Sequence, residues 1–464
     1  MTWHLALNTA ISFSTTTTWQ AYAGESTMSY FSQMAGLLVQ NFLAGAAGLA
    51  VGVAFIRGFA RRRATGLGNF WVDLTRSLLW ILLPIAFVST LVLVWRGVPL
   101  NFNDYTTVQT IAGGEQTIPQ GPVAALEVIK NLGTNGGGFF NANGAHPFEN
   151  PTPFTAFFEM LLIVAIPAGL TYTFGRMVGN QRQGWLLYAV MIVLFSVGLF
   201  ANDWAESNGN PALASAGVDQ SAGNMEGKET RFGIGSTVLT AIVTSNTSTG
   251  SYNAMHDSFS AIGGMVPMVN MMLGEIVFGG LGGGLYGLIM VALFGLFLSG
   301  LMVGRTPSFL GKRVGPRETR LIVLYALLGP IAILLPSAIA LVTNDGLAGL
   351  TTNSGAHGLS EIVYAFSSST ANNGQNFAGL SANSVFYNLA TAFSMLIGRF
   401  GLALAALALA GLVAAQQRRP TTAGTLPTDT PLFGGIVIGT AIIVGALTYL
   451  PVLALGPIYE HFAT

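Results

Sequence analysis

The 464-residue chain has no cysteine and very little charge. Without cysteine there can be no disulfide, thiolate metal site or thiol nucleophile. Charged residues make up only 8% of the chain, against about 25% in a typical soluble domain. Nineteen basic and nineteen acidic residues balance, so no basic excess is left for nucleic acid. There is no Gly-x-x-x-x-Gly-Lys-Ser/Thr phosphate loop, no Asp-Lys-Thr-Gly segment, and no polar connection long enough for a nucleotide domain. ATP hydrolysis by this chain is therefore not expected. What is abundant is apolar and small: 51% hydrophobic residues, 59 glycines and a mean hydropathy of +0.58. Such a chain belongs in lipid, where glycine lets helices approach closely.

A spanning helix needs roughly 20 apolar residues. Eight segments qualify: 31–57, 73–96, 155–178, 184–202, 258–303 with an interruption, 319–343, 384–415 and 432–458. Basic residues gather at alternate connections: Arg57, Arg61, Arg62 and Arg63; Arg176 and Arg182; Lys312, Arg313, Arg317 and Arg320; Arg418 and Arg419. These ends are expected to be cytoplasmic. The other connections are poor in Lys and Arg and face outward.

On the outward side one event occurs four times. A semi-apolar stretch too short to span (5–13, 123–132, 235–245, 358–368) runs into a small polar segment, and a span follows. The segments are Thr15-Thr16-Thr17-Thr18, Thr134-Asn135-Gly136-Gly137, Ser248-Thr249-Gly250-Ser251 and Asn372-Asn373-Gly374. Their starts lie 119, 114 and 124 residues apart. The expected fold is all-α and membrane-integral, with four pseudo-repeated helix–loop–helix units around one pore. The units divide as 1–63, 64–182, 183–315 and 316–419, with an extra helix in 420–464. The first unit lacks its outer helix, so a helix is expected ahead of residue 1 and the chain reads as truncated there. A bare cation must replace its water shell with other oxygens, and backbone carbonyls from four loops can supply them. Non-helical backbone at membrane depth is tolerated only when buried in protein or lining water. The candidate ion-binding residues are Thr15, Thr16, Thr17, Thr134, Asn135, Gly136, Ser248, Thr249, Gly250, Asn372, Asn373 and Gly374. The C-terminal ends of the short helices add negative potential there.

Longer motifs narrow the class. Leu132-Gly-Thr-Asn-Gly-Gly-Gly-Phe-Phe-Asn-Ala-Asn143, Asn253-Ala-Met-His-Asp-Ser258 and Ser369-Thr-Ala-Asn-Asn-Gly374 resemble the KdpA family, the potassium-binding and translocating subunits of Kdp potassium-transporting ATPases. Ala6-Leu-Asn-Thr-Ala-Ile-Ser-Phe13, Trp19-Gln20 and Gly304-Arg-Thr-Pro307 are similar to that family too, so the resemblance runs along the whole chain. It implies transport of K+, no nucleotide on this chain, and residence in the bacterial plasma (inner) membrane. It also implies a KdpB-like P-type ATPase partner with small KdpC-like and KdpF-like subunits. In one departure, Thr16 and Thr18 stand where the family commonly has Asn.

Three further features touch the path. Arg399 sits near the middle of span 384–415, where a charge is costly and faces a cavity or a partner; the resemblance implies a basic residue below the filter. Gly279-Gly-Leu-Gly-Gly-Gly284 breaks span 258–303, with Gly282 and Gly283 in the candidate gating loop and Glu275 close by. The resemblance implies that Arg305 lies near the exit route, while its position after a span reads equally as a topology anchor; Gln20 reads as part of the outer mouth. Asp257 with Ser258 reads as a helix N-cap, and neither His146 nor His256 has a partner at metal-ligand spacing. Two other classes stay open: a self-sufficient channel or gradient-driven potassium uptake protein of the same architecture, and a metabolite symporter with broken helices. The symporter would have two inverted halves, whereas the four units here share one orientation.

Overall fold

The computed structural model describes residues 1–305, 307–420, 422 and 425–463. Among these, eight helical segments are long and apolar enough to cross a membrane: Ser32–Ala60, Phe70–Trp95, Pro153–Val178, Gln181–Ser215, Gly283–Val303, Pro316–Val342, Val385–Ala415 and Pro431–Ala463. The all-α, multi-pass membrane architecture expected from the sequence is found. Its little sheet is peripheral. A hairpin pairs Thr106–Gln109 with Glu115–Ile118 in an outward connection, and a shorter one pairs Ser308–Phe309 with Lys312–Arg313. Thr306, inside the Gly304–Pro307 motif, lies outside the described residues.

The helix ends follow local chemistry. Thr152, Asn180 and Ser384 accept hydrogen bonds from the amides three residues on, which satisfies donors that have no partner inside the helix. Pro153, Pro316 and Pro431 occupy first helical positions, where the missing N–H costs nothing. At the basic face, side chains serve as C-terminal caps. Lys312 Nζ donates to the carbonyls of Arg61 (2.9 Å), Val413 (2.9 Å) and Gln416 (2.6 Å). Arg418 reaches the carbonyls of Phe59, Ala60 and Val178. Arg57 grips Asp73 with two nitrogens, tying the first span to the second.

Four short helices lie between the spans: Trp3–Ser14, Val123–Leu132, Gly233–Thr247 and Gly355–Thr370. Each packs on the spans of its own and a neighbouring unit. Trp3–Ser14 meets Val385–Leu396, and Gly233–Thr247 lies between Pro153–Val178 and Gln181–Ser207. The first span closes the circle by packing along Leu402–Ala415.

The interruption of the fifth span is wider than its glycine run. A helix ends at Met272, and the next begins at Gly283. Residues 273–282 are therefore non-helical, and Gly283 opens a helix instead of lying in the loop. Glu275 and Phe278 hold positive φ of 62° and 47°, conformations that few non-glycine residues adopt. Gly282, at φ 87°, presses against Gly48 and Gly52 of the first span, where any Cβ would strike backbone. This Gly48-x-x-x-Gly52 face uses small residues to bring backbones together.

Candidate functional site

All four short helices end in the same hook. The amides of Thr17, Asn135, Thr249 and Asn373 each donate to the carbonyl five residues back, on Ser12, Lys130, Thr244 and Ser368, at 2.9, 2.8, 3.2 and 2.9 Å. The preceding residues, Thr16, Thr134, Ser248 and Asn372, have φ of 68°, 49°, 58° and 53°. A six-to-one bond behind a left-handed residue is the Schellman ending of a helix. Glycine normally takes the left-handed place; here Thr, Thr, Ser and Asn take it. Such strain, of order 1–3 kcal/mol per residue, persists where surrounding structure enforces it. The following positions, Thr18, Gly136, Gly250 and Gly374, are left-handed again, at 50°, 82°, 74° and 92°.

The common hook sets the register between loops. Thr16–Thr18 matches Thr134–Gly136, Ser248–Gly250 and Asn372–Gly374. Thr15, expected in the first loop, instead caps its helix, with its hydroxyl on the Ile11 carbonyl at 2.8 Å. The run of four threonines hides this one-residue offset, because only the backbone bond distinguishes them.

The loops touch in a closed ring. A Cβ on Gly136 would strike the Thr249 carbonyl, one on Gly250 the Asn373 carbonyl, and one on Gly374 the Thr17 carbonyl. A Cβ on Gly137 would stand 3.2 Å from the Thr18 carbonyl oxygen, which brings the second loop back to the first. Side chains seal the joints. Thr18 Oγ1 donates to the Asn135 carbonyl and Ser248 Oγ to the Ala371 carbonyl. Asn372 Nδ2 donates to Thr17 Oγ1 at 2.9 Å, and Asn373 Nδ2 to the Thr244 carbonyl at 2.7 Å. Gln20 Oε1 accepts the Gly138 amide at 2.8 Å, so Gln20 clamps the first loop to the second. Every residue from Thr15 to Thr18 and from Thr134 to Phe140 is buried.

Above the ring is an open vestibule of about 630 Å³, lined among others by Gln20, Tyr22, Asn141, Lys228, Tyr252 and Asn376. Lys228 pairs with Glu206 at 2.6 Å; burial lowers the Lys228 ammonium from its ordinary pKa, against the pull of Glu206. Burial also lowers the His146 imidazole and pushes the Tyr22 phenol up to about 12.

Below the ring the glycine-rich loop is docked on it. The Leu281 amide donates to Thr134 Oγ1 at 3.0 Å. A cavity of about 40 Å³ opens here, lined by Glu275, Gly283, Tyr286, Thr370, Asn372 and Arg399 among others. That is room for a few water-sized species. Thr370 Oγ1 is buried without a hydrogen-bond partner, as is Thr16 Oγ1 in the ring. Arg399 lies in a widened helical turn, Ile397–Gly401; such π-type turns gather at functional sites. A Cβ on Gly398 would strike the Thr370 carbonyl, so glycine there lets this turn sit against the fourth loop. Arg305 is not brought to the ring: it is exposed at the end of Gly283–Val303.

A buried network behind the second loop has no counterpart among the residues expected from sequence. Lys130 Nζ pairs with Glu127 (2.7 Å) and Glu149 (2.6 Å) and donates to Asn143 Oδ1 (2.7 Å). Asn143 Nδ2 then holds the Gly137 carbonyl at 2.5 Å. A lysine one turn before a filter-like loop was the only sequence signal. Asp257 is not a helix cap either. Ser260 caps Ala261–Met272, while Asp257 pairs with His357 at 3.0 Å.

A buried ring of four loops, set among eight helices of membrane-crossing length, defines an ion-handling membrane protein. The comparisons with known proteins narrow this further. A family model described as "KdpA: Potassium-transporting ATPase A subunit" matches residues 1–462. A Granulibacter bethesdensis protein named potassium-transporting ATPase potassium-binding subunit is 55% identical over 99% of this chain and 80% of its own length. Proteins of the same name from Methylobacterium nodulans and Yersinia pseudotuberculosis are 54% and 55% identical, again over 99% of this chain, and over 80% and 82% of their own lengths. The chain belongs to the KdpA family.

Proposed function

We propose that this chain is the potassium-selecting and translocating subunit of a Kdp-type potassium-transporting ATPase in the bacterial plasma membrane, and that the four-loop ring is its filter. The observation carrying this reading is the hook repeated at Thr17, Asn135, Thr249 and Asn373 and closed into one ring. Potassium enters from the vestibule and sheds water against carbonyls of Thr16–Thr18, Thr134–Gly136, Ser248–Gly250 and Asn372–Gly374. Alternating left-handed residues turn successive carbonyls to one side, unlike a β-strand, where they alternate. Four helix C-terminal ends favour a cation at this point. Hydrolysis lies in the partner: this chain takes no nucleotide, and a KdpB-like P-type ATPase receives the ion sideways from below the filter. KdpC-like and KdpF-like subunits complete the assembly. The reading divides the chain into units 1–63, 64–182, 183–315 and 316–419, with 420–464 outside the repeats; the one hook found in each unit supports it. Growth of a potassium-uptake-deficient host at limiting potassium tests the reading. Rescue only with the ATPase partner is expected; rescue by this chain alone would replace it with a self-sufficient uptake protein.

Arg399 and the loop at 273–282 form the lower barrier in this reading. A fixed charge ~8 Å from a cation opposes it by about 2 kcal/mol at an effective dielectric near 20, and 1.4 kcal/mol is tenfold. Arg399→Gln is therefore expected to raise passive rubidium flux through the reconstituted complex about thirtyfold, measured without ATP. Flux equal to that of the unaltered complex would remove Arg399 from the barrier.

A further inference from the structure

Outside the ring, on the vestibule side, three elements far apart in sequence converge. They are the turn at Asp257, the start of the fourth short helix at His357 and Glu361, and the C-terminal helix at Glu460. The ligand-type atoms of Asp257, His357 and Glu361 all lie within 4.8 Å of one another. We propose that these three residues form a binding site for a divalent cation of the zinc–manganese class.

The arrangement around them is that of a prepared site. His357 Nε2 points at Asp257 Oδ1, 3.0 Å away, while its other nitrogen, Nδ1, is 2.7 Å from Glu460 Oε1. A carboxylate behind one imidazole nitrogen, leaving the other to a metal, is the usual outer support of a ligating histidine. Glu361 is held in the same manner. Its Oε1 accepts Asn353 Nδ2 at 2.8 Å, and the same amide reaches Asp257 Oδ2 at 3.2 Å. Glu361 Oε2 has no hydrogen-bond partner, on a residue with 0% exposure. An unpaired carboxylate oxygen in such a place costs several kcal/mol unless a cation or a proton meets it.

The backbone makes room for this convergence. Gly379 faces both carboxylates: a Cβ there would stand 2.5 Å from Glu361 Oε1 and 2.6 Å from Asp257 Oδ2. Metal–donor bonds of about 2.0–2.2 Å place neighbouring donors roughly 3.3 Å apart in a tetrahedron, close to the His357–Asp257 separation. One nitrogen and two carboxylate oxygens, without sulfur, suit zinc or manganese. The site would tie the segment after the third loop to the helix leading into the fourth, and both to the C-terminal helix.

The test uses the chain in its detergent-purified ATPase complex, stripped with a chelator and then titrated with Zn2+, and separately with Co2+ as a spectroscopic probe. The expected result is one additional Zn2+ per chain and a weak visible Co2+ absorption of a nitrogen–oxygen site. Glu361→Gln, nearly isosteric, is expected to weaken binding at least ten- to hundredfold, the cost of losing even an outer partner of a ligand, and His357→Gln to abolish the Co2+ spectrum. No stoichiometric zinc on the unaltered complex overturns the proposal. So does equal binding by the Glu361→Gln complex, whose assembly is checked by gel filtration.

Discussion

Replacing Gly136 with aspartate is expected to abolish the preference for potassium over sodium. Gly136 holds φ 82°, where a residue with a Cβ is strained by roughly 1–2 kcal/mol. That cost alone a folded membrane protein survives. The larger effect is geometric, because the new Cβ would occupy the position of the Thr249 carbonyl oxygen. Either the second loop or the third must move, and the ring is continuous, so displacement at one joint opens the next. The carboxylate then adds a strong anionic ligand that holds sodium as readily as potassium. Gly136→Ala separates the two causes: it keeps the collision and omits the charge. Both variants are expected to lose selectivity, with only the aspartate also tightening sodium binding. Thr18→Gly is the reciprocal case: it relieves the left-handed strain at the one position of the four that carries a side chain, but removes the hydroxyl that holds the Asn135 carbonyl. Potassium- and sodium-stimulated ATPase activity of the purified complex measures the outcome. An unchanged ratio in Gly136→Asp would show that the second loop does not contact the ion.

How far the sequence anticipates this structure depends on the kind of signal. The spans announce themselves by apolar length, and their basic ends by Arg and Lys, because lipid and the membrane interface impose both on composition. The short helices are legible for a related reason: each is apolar yet too short, and a small polar segment stops it. Register is not. In Thr15–Thr18 four identical residues offer no marker, and the bond from the Thr17 amide to the Ser12 carbonyl decides which of them lie in the ring. The threonines at 16 and 18 were visible as a departure from Asn. Their meaning was not, since it lies in φ of 68° and 50°, which asparagine tolerates far better than a β-branched residue. Contacts between distant segments were hidden altogether. Asp257 and His357 are 100 residues apart, and nothing periodic joins them. The glycine run pointed to a break, but Leu273–Phe278 gave no sign that the helix had already ended. Glu275 and Phe278 take left-handed conformations that the packing beneath the ring imposes, against their own preferences.

The network behind the second loop carries the other large expectation: Lys130→Met should destabilise the chain by about 3–5 kcal/mol, the usual cost of leaving a buried charge partner alone. Lys130 is fully buried, and Glu127 and Glu149, which it pairs, are at most 1% exposed. Glu159 is buried nearby, at 4% exposure. Without the ammonium these carboxylates must take up protons or draw in water. The consequence reaches the ring by two routes. Asn143 loses the donor to its Oδ1 and with it the orientation that presents Nδ2 to the Gly137 carbonyl. Glu149, which accepts the Phe140 amide at 2.8 Å, loses its anchor. The expected signature is a lower thermal midpoint of the detergent-solubilised complex together with reduced potassium preference in whatever assembles. Lys130→Met combined with Glu149→Gln separates the two effects. Removing one carboxylate recovers part of the stability, and the coupling between the two changes should reach 0.5–3 kcal/mol, as for residues in one network. Selectivity should stay impaired in the pair, because Asn143 is still unsupported. A Lys130→Met complex as stable as the unaltered one would mean that the carboxylates are already neutral. The lysine would then be packed behind the loop without holding it in place.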